Sequence, residues 1–290
     1  MTQKVAFIGL GAMGYRMAMH LTKKFETVYV WNRNFDKAKK HAEEFGTQAV
    51  ELDQALQADI IFSCLPTSHE VEQLIFSHTL KKGSIWVDCT SGVPESAKKI
   101  TQQLEKLGID FLDAPVSGQT IGAQNGTLTV MVGGRLSAFE RALPAMETFG
   151  QLIKYVGESG AGFAVKAVNN MLLAVNLWSV AEGFTTLKAH GVDLHQALDC
   201  INASSGKSGV TETVLPQRIL NRSFPLTFAL PLLTKDAGIA IDLVHEAKLP
   251  SPLLSLTYNL IQTANLTSEV NQDFSSVVKL YESWTKIIID

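Results

Sequence analysis

The chain begins with a short apolar run, a glycine-rich turn and a stretch in which apolar residues recur at helical spacing. The run covers residues 4–8 and the periodic stretch continues to about residue 24. Between them lies a G-x-G-x-x-G turn made of Gly9, Leu10, Gly11, Ala12, Met13 and Gly14. Such a turn bends sharply at its first glycine and packs a helix closely on a strand at its last. The pattern therefore predicts a strand, a tight turn and a helix.

The same alternation continues through the first half of the chain. Further strands are predicted at residues 27–31, 60–65, 84–88, 111–112, 128–132 and 153–156. Helices are predicted between them at residues 35–45, 71–77, 94–107 and 138–149. Strands that alternate with helices in this way are typical of the α/β class. We expect an N-terminal Rossmann-type domain with a doubly wound, mainly parallel sheet.

From residue 160 onward the signals for β structure stop. Helices are predicted at residues 160–182, 194–203, 213–221, 232–247, 252–264 and 274–284. This change in pattern predicts two domains, a Rossmann-type α/β domain at residues 1–159 and an all-α domain at residues 160–290. We expect the second domain to serve substrate binding and oligomerisation, and a long helix to join it to the first.

Composition and charge exclude several classes of protein. An apolar content of 46% and a charged content of 18% are those of an ordinary folded protein. The net charge is -3 and the basic doublets are scattered, so no nucleic-acid partner is expected. Three widely spaced cysteines suggest neither a disulfide framework nor a metal site. No secretory signal or membrane span is evident, so we expect a cytoplasmic protein with no membrane partner.

The glycine turn and the end of the second strand point to a dinucleotide. The turn lets the backbone approach a pyrophosphate, which the following helix N-terminus favours. Asn32 and Arg33 follow the second strand, where NAD-preferring sites usually carry Asp or Glu. A guanidinium here suits a 2′-phosphate, so the sequence favours NADP, with NAD as the alternative. The competing interpretation is that Arg33 only faces solvent.

The predicted helix at residues 160–182 is apolar almost all the way round, yet it carries Lys166, Asn169 and Asn170. At spacings of i, i+3 and i+4 these three side chains share one helix face. Lysine is seldom fully buried without a partner, so this face is expected to line a cleft. The alternative is a lysine whose stem is buried and whose amine reaches solvent, beside two asparagines in the core.

Taken together, these patterns resemble the β-hydroxyacid dehydrogenase family, which includes 3-hydroxyisobutyrate dehydrogenase, tartronate semialdehyde reductase and the glyoxylate/succinic semialdehyde reductases. Five ordered stretches carry the resemblance: FIGLGAMGYRMA (7–18), VDCTSGVPES (87–96), LDAPVSG with NGTLTVMVGG (112–134), GAGFAVKAVNN (160–170) and FALPLLTKD (228–236). INASSGKS (201–208) and DFSSVVKLY (273–281) add to it. The resemblance covers essentially the whole chain.

The resemblance implies a role for each matching residue. Lys166 matches the catalytic general acid/base of the family. The expected substrate-binding residues are Ser91, Ser117, Gly118, Asn169 and Asn170, with Ser117 and Gly118 receiving a carboxylate. Besides the glycine turn, the expected cofactor-binding residues are Asn32, Arg33, Leu65, Pro66, Ser91, Phe228 and Lys235. The chain departs from the family pattern at Gln119, where the substrate loop usually has a small residue, and at His20, where an asparagine is common.

The reaction implied is reversible hydride transfer between NADP(H) or NAD(H) and the hydroxyl carbon of a small 3-hydroxy acid or semialdehyde. Desolvation lowers the pKa of a lysine, which would allow Lys166 to exchange a proton with the substrate oxygen. By resemblance, a homodimer or homotetramer is expected. One alternative is an imine or short-chain aldehyde reductase of the same fold, although imine reductases usually lack the lysine. Another is a non-catalytic NADP-binding module.

Overall fold

The structure is a computed structural model that describes residues 3–268 and 272–290. Contacts within the chain divide it into two compact units, Met1–Lys166 and Ala167–Asp290. The first unit contains the sheet and the second is helical.

The sheet of the first unit is built from nine strands. They are β1 (Val5–Ile8), β2 (Val28–Trp31), β3 (Gln48–Ala49), β4 (Ile60–Ser63), β5 (Ile85–Asp88), β6 (Asp110–Asp113), β7 (Val116–Ser117), β8 (Leu128–Gly134) and β9 (Gly150–Gly157). The first six lie parallel in the order β3-β2-β1-β4-β5-β6. The strand order reverses between β1 and β4, which is where doubly wound sheets bind ligands, outside the carboxyl ends of the strands.

The far side of the sheet is mixed. β8 pairs antiparallel with both β6 and β7, and β9 pairs parallel with β8. Since β6 and β7 are both antiparallel to β8, they run in the same direction and follow one another along the same side of it. The chain therefore continues along β8 from β6 through β7, and the turn after β7 follows.

Seven helices of the first unit cover the sheet: α1 (Gly14–Leu21), α2 (Phe35–Phe45), α3 (Leu52–Ala55), α4 (Ser68–Ser77), α5 (Pro94–Glu105), α6 (Gln119–Asn125) and α7 (Leu136–Met146). The side chains of β1 alternate between two cores: Val5 and Phe7 enter one, and Ala6 and Ile8 enter the other. Both faces of the strand are therefore buried, which explains why it reads as a continuous apolar run.

The second unit contains most of the long helix α8 (Ala161–Ala189), together with α9 (Leu194–Asn202), α10 (Leu230–Glu246), α11 (Pro252–Thr267) and α12 (Val278–Thr285). A π-helix (Val210–Ile219) and a 3₁₀ helix (Phe274–Val277) complete it. Its largest core packs one side of α8, including Ala174, Leu177 and Ala181, against the π-helix and the last helices.

Within the described residues, α8 is the one helix long and apolar enough to cross a membrane by length and composition. In its most apolar window 44% is buried inside the protein. Met171, Ala174 and Leu177 are fully or almost fully covered by other helices of the second unit. We interpret α8 as a core helix, which also explains why it is apolar on several sides.

The predicted fold class is confirmed, and the differences lie in short elements. The sequence indicated neither β3, β7, α3 nor α6, because each buries few apolar side chains; α6 buries Gly122 and Ala123. Helix α4 begins three residues before its predicted start, at Ser68. Thr67 and Glu70 form a capping box there, in which each side chain accepts a hydrogen bond from the backbone N–H of the other residue.

Candidate active site

The glycine turn is held against the neighbouring strand by its first residue. Gly9 has a φ of +93°, and its N–H donates to the carbonyl oxygen of Trp31 at 2.9 Å. A Cβ atom at this position would lie 2.5 Å from the carbonyl oxygen of Cys64. The conformation and the close contact both require glycine. The turn therefore sits directly at the point where the strand order reverses.

The other two glycines of the turn meet opposite environments. A Cβ atom on Gly14 would lie 2.0 Å from the carbonyl oxygen of Gly9, so α1 starts in contact with the turn. A Cβ atom on Gly11 would have no heavy atom of the described residues within 4 Å. The backbone at Gly11 is thus open to an approaching group, as a bound pyrophosphate requires. The residues present fit a dinucleotide.

Asn32 ties the turn to the end of β2. Its Oδ1 accepts a hydrogen bond from the N–H of Leu10 at 3.0 Å, and its Nδ2 donates to the carbonyl oxygen of Asn34 at 3.0 Å. Asn34 in turn caps α2 by accepting from the N–H of Asp36. Arg33 lies between these two asparagines and is exposed. Arg33 therefore follows the carboxyl end of β2 closely and is open to solvent.

The ends of β4 and β5 are joined by a small polar network. The N–H of Leu65 donates to Oγ1 of Thr90 at 3.1 Å. Asp88 Oδ1 accepts from the N–H of Thr90 at 3.0 Å and from the hydroxyl of Ser63 at 2.9 Å. This network fixes the path of the loop from Leu65 to the exposed Pro66. Ser91 follows Thr90 and is half-buried.

The turn after β7 has an unusual backbone. Gly118 has a φ of +132°, and the next residue, Gln119, is one of the few non-glycine residues with a positive φ, at +57°. A Cβ atom on Gly118 would lie 3.0 Å from Leu128. Ser117 is half-buried, whereas Gly118 and Gln119 are exposed. The turn therefore presents its backbone to solvent.

His20, where the sequence departs from the family pattern, lies away from these strand ends on α1. The buried His20 has Nε2 2.9 Å from the carbonyl oxygen of Ala123 and Nδ1 2.8 Å from Nζ of Lys23, and burial lowers its pKa. His20 thus links α1 to α6 and is a packed, hydrogen-bonded side chain.

Helix α8 carries the three polar residues singled out from the sequence. Lys166 is the last residue of the first unit and is half-buried. Asn169 and Asn170 follow it in the second unit, where Asn169 is exposed and Asn170 is buried. The helix is regular through all three, so their spacing of i, i+3 and i+4 places them on one helix face.

In the second unit a buried carboxylate organises the asparagines. Asn170 Nδ2 donates to Oδ2 of Asp236 at 2.6 Å, and Asn169 Nδ2 donates to Oδ1 of Asn170 at 3.1 Å. Asp236 is 2% exposed, and its other oxygen, Oδ1, lies 2.9 Å from Nζ of Lys235. Because the Asn170 amide donates to Asp236 through Nδ2 and accepts from Asn169 through Oδ1, its orientation is determined.

Phe228 lies just before α10 in the second unit. Its ring packs against that of Phe274 at 5.8 Å between centroids, and its N–H donates to Oδ2 of Asp273 at 3.3 Å. Asp273 is buried and paired with Arg218, with Arg218 Nη1 3.1 Å from Asp273 Oδ2. The half-buried Phe228 is therefore held by a network within its own unit.

The comparisons with known proteins agree on one family. Residues 4–157 match the NAD binding domain of 6-phosphogluconate dehydrogenase, and residues 160–281 match the NAD-binding domain of NADP-dependent 3-hydroxyisobutyrate dehydrogenase. The 2-(hydroxymethyl)glutarate dehydrogenase of Eubacterium barkeri is 36% identical over 99% of this chain and 97% of its own length. The chain belongs to the β-hydroxyacid dehydrogenase family. This β-hydroxyacid dehydrogenase is an NAD(P)-dependent oxidoreductase.

Further similarities extend over the whole length of this β-hydroxyacid dehydrogenase. The NAD-dependent L-serine dehydrogenase of Pseudomonas aeruginosa is 33% identical, covering 97% of this chain and 98% of that one. The 3-hydroxyisobutyrate dehydrogenase of Mycobacterium tuberculosis, solved with L-serine, matches with a TM-score of 0.88 and 28% identity, covering 97% of this chain and 99% of that one. The resemblance inferred from the five sequence stretches is thereby confirmed.

The structure adds residues of this β-hydroxyacid dehydrogenase that the sequence argument did not single out. Asp236 is the clearest, since it orients Asn170 and pairs with Lys235. Asp236 directly follows Lys235 in the stretch FALPLLTKD, which could have pointed to it. The family resemblance gives a role to the lysine alone. Thr90 holds the loop at Leu65 in the same indirect way. Among the described residues, no group of three or more His, Cys, Asp or Glu side chains is arranged to bind a metal ion.

Proposed function

We propose that this enzyme transfers a hydride reversibly between NADP(H), in preference to NAD(H), and the hydroxyl-bearing carbon of a small 3-hydroxy acid or its semialdehyde. The observation that carries the proposal is the polar face of α8, where Lys166 precedes Asn169 and Asn170 in a first half of the helix that is otherwise apolar. The relatives named above, a hydroxymethylglutarate dehydrogenase and an L-serine dehydrogenase, support this class of substrate.

In this proposal the cofactor lies along the carboxyl edge of the parallel strands. The turn from Gly9 to Gly14 would hold the pyrophosphate, since the backbone at Gly11 is open and α1 begins beside it. Arg33 would pair with the 2′-phosphate of NADP. The other residues assigned to the cofactor are Asn32, Leu65, Pro66, Ser91, Phe228 and Lys235. When bound, the nicotinamide supplies the two-electron hydride exchange.

Lys166 is the proposed general acid/base. In the oxidative direction its neutral amine accepts the hydroxyl proton of the substrate as the carbon gives up its hydride. In the reductive direction its ammonium stabilises the developing alkoxide and then donates the proton to that oxygen. The half-buried position of Lys166 suits this role, because partial exclusion of water strengthens the interaction with the oxygen.

The substrate is proposed to be held at two ends. Backbone N–H groups of Ser117 and Gly118 would receive the carboxylate, since the left-handed turn there presents backbone to solvent. Asn169 and Asn170 would contact the substrate near its hydroxyl, assisted by Ser91. The hydrogen bond from Asn170 to Asp236 supports this assignment, because it pre-orients the amide before any substrate binds.

The proposal also includes features of the whole chain. We propose domain limits of residues 1–159 and 160–290, a cytoplasmic location, and a homodimer or homotetramer. Size-exclusion chromatography with light scattering would measure the oligomeric state directly. A monomer at working concentrations would contradict that part of the proposal.

The experiment that tests the proposed function follows the absorbance of the reduced nicotinamide with purified protein. Each cofactor is combined with 3-hydroxyisobutyrate, L-serine, glycerate, 4-hydroxybutyrate, 2-(hydroxymethyl)glutarate and the corresponding semialdehydes. Rapid turnover of a carboxylated substrate supports the reaction class and identifies the substrate at the same time. Turnover of imines alone, or cofactor binding with no turnover, would contradict the proposal.

The role of Lys166 is tested with a matched pair of variants on the same helix. Lys166→Ala is expected to lower kcat by about 100-fold or more, the usual contribution of a general acid/base, while the cofactor Kd changes little. Lys188→Ala is the control, since Lys188 lies in the last turn of α8 and pairs with Asp290. A Lys166→Ala variant with kcat within about tenfold of the wild type would refute the assignment.

A further inference from the structure

One carboxylate from the sheet holds the start of the helix that carries Lys166. Asp113, the last residue of β6, is fully buried. Its Oδ1 accepts a hydrogen bond from the N–H of Gly160 at 2.8 Å, and its Oδ2 accepts from the N–H of Phe163 at 2.9 Å. The first N–H groups of a helix have no acceptor within that helix. Asp113 supplies two of the missing acceptors, within the first unit.

The first turn of α8 is unable to cap itself. In a capping box the residue before the helix and the third helical residue accept hydrogen bonds from each other's backbone. Here the first of these is Gly160, where a φ of +93° and a carbonyl oxygen of Pro94 2.9 Å from any Cβ atom exclude a side chain. The second is Phe163, whose ring packs against Gly92. Asp113 therefore performs both halves of the capping box from a neighbouring strand.

The same turn of helix is packed directly on the sheet. A Cβ atom on Gly162 would lie 2.4 Å from the carbonyl oxygen of Met131 and 2.5 Å from that of Asp113. A Cβ atom on Gly133 would lie 2.7 Å from Oδ1 of Asp113. The backbone of the first turn of α8 packs against the backbone of the sheet on one side, and two hydrogen bonds to the Asp113 carboxylate hold its end. These contacts determine both the position and the rotation of the turn.

We propose that Asp113 is a positioning residue for hydride transfer, whose ionised carboxylate fixes the first turn of α8 and thereby the place of Lys166 Nζ. Lys166 follows Phe163 by three residues, which is about 4.5 Å along a helix axis. A loosened first turn therefore displaces the amine directly. The inference rests on the proposed role of Lys166 as general acid/base.

The charge on Asp113 makes this arrangement dependent on pH. Burial raises the pKa of Asp113 to about 6, and repulsion from Asp88 adds to the effect, although the two N–H donors oppose it. At neutral pH the carboxylate is ionised and both oxygens accept. Protonation turns one oxygen into an O–H donor that faces an N–H group, so one of the two hydrogen bonds is lost. We expect kcat to fall as pH decreases through about 6.

The other charged groups around Asp113 are few. On the neighbouring strand β5 its register partner is Asp88, and β8 has no ionisable side chain. The turn before α8 carries Glu158, and the second turn of α8 carries Lys166. Helices α5 and α7, which also pack against β6, present their ionisable side chains to solvent. Asp113 and Asp88 are thus the buried carboxyl groups near this turn, and Asp113 is the one that accepts hydrogen bonds from Gly160 and Phe163.

The test compares Asp113→Asn with Asp110→Asn. The control residue lies at the other end of β6 and pairs with Arg135 and Arg141 at the surface. For each protein, kcat, KM and the cofactor Kd are measured in the reductive direction between about pH 5 and about pH 8, which brackets the expected transition. In that direction acid keeps Lys166 in its active ammonium form, so an acid decrease of kcat does not come from Lys166 itself. Hydrogen exchange of the peptide that covers residues 160–166 reports on the helix start without any turnover.

For Asp113→Asn we expect kcat at neutral pH to fall by about 10- to 100-fold, the usual effect of misplacing a reacting group by about 1 Å. The cofactor Kd stays near the wild-type value, the decrease of kcat near pH 6 disappears and residues 160–166 exchange faster. Asp110→Asn keeps the wild-type kcat, pH profile and exchange. A kcat for Asp113→Asn within about twofold of the wild type, or a persisting acid decrease, would overturn the inference.

Two further outcomes separate this inference from the proposed function. If the wild type and the control show no turnover with any hydroxy acid, the proposed function fails and the inference fails with it. If both turn over and Asp113→Asn turns over equally well, the inference alone fails. Should Asp113→Asn not fold, the wild type still decides: a kcat that stays constant from pH 8 to below the pKa of about 6 overturns the inference.

Discussion

Substitutions at two glycines of the same turn are expected to affect different properties, fold stability at one position and cofactor binding at the other. Gly14→Ala introduces a methyl group 2.0 Å from the carbonyl oxygen of Gly9 and 2.9 Å from the ring of Phe7. Gly11→Ala introduces the same methyl group where no described atom lies within 4 Å. The carbonyl oxygen of Gly9 belongs to the backbone and cannot rotate away as a flexible side chain could. The methyl group therefore forces α1 to move away from β1. We therefore expect Gly14→Ala to destabilise the fold and Gly11→Ala to weaken cofactor binding.

The magnitudes follow from the contacts. Overpacking of a rigid site costs about 3 kcal/mol at the upper end of the usual range, which the 2.0 Å contact at Gly14 justifies. For a domain of this size such a loss lowers Tm by roughly 6–12 °C. At Gly11 the stability changes by less than about 0.5 kcal/mol. The methyl group would instead displace the pyrophosphate, and about 1–3 kcal/mol of lost binding raises the cofactor Kd roughly 5- to 150-fold.

The assay pairs thermal unfolding of the cofactor-free protein with calorimetric titration of NADP(H). We expect a large decrease in Tm for Gly14→Ala and a large increase in the cofactor Kd for Gly11→Ala. Equal losses of Tm would show that the space at Gly11 is not open. A Gly14→Ala variant as stable as the wild type would refute the close packing of α1 on the turn.

Three other predictions concern charged residues. Arg33→Ala should raise the Kd of NADP(H) by about 10-fold or more and that of NAD(H) little, since a charge-assisted hydrogen bond contributes about 1.5–3 kcal/mol. Arg218→Met should cost about 3–5 kcal/mol in the free energy of unfolding, because it leaves the buried Asp273 carboxylate without its cationic partner, whereas Arg135→Met at the surface should cost less than about 1 kcal/mol. Finally, native Asp113 titrates near 6 and an unfolded aspartate near 3.8, so the native state binds the extra proton and gains stability as pH falls through this window. Relative to Asp113→Asn, the wild type should gain on the order of 3 kcal/mol between neutral pH and about pH 4.

Each of these predictions has a result that contradicts it. Equal losses for both cofactors would show that Arg33 does not read the 2′-phosphate. Equal costs for Arg218→Met and Arg135→Met, measured by denaturant unfolding, would show that the buried pair is no more important than a surface pair. A stability difference between wild type and Asp113→Asn that is constant with pH would mean that the buried carboxyl group does not titrate near 6.

Much of the architecture of the first unit was predictable because its signals are local. A buried parallel strand is a short apolar run, and the helix between two such strands has its own period. The glycines at positions 9 and 14 have to be glycine for reasons that the motif already states, and the structure shows the contacts behind them. Lys166 stood out for the same kind of reason, since a charge on an apolar helix is rare.

The elements that were missed depend on contacts distant in sequence. Helix α6 buries two small residues, so its sequence has no strong apolar period. Strand β7 has two residues, and its pairing with β8 decides that it is a strand at all. Propensity alone is a weak guide for such short elements, since tertiary packing overrides it.

The sequence by itself determined the fold class, the family, the dinucleotide turn and the identity of the polar residues on α8. The tertiary structure alone decided how those residues are held. Asp236 meets Asn170 across 66 positions of sequence, and Asp113 meets Gly160 across 47. A motif reports which chemical groups are present, because they are read from neighbours in the chain. The hydrogen bonds that orient those groups come from residues that only folding brings together, and no local pattern records them.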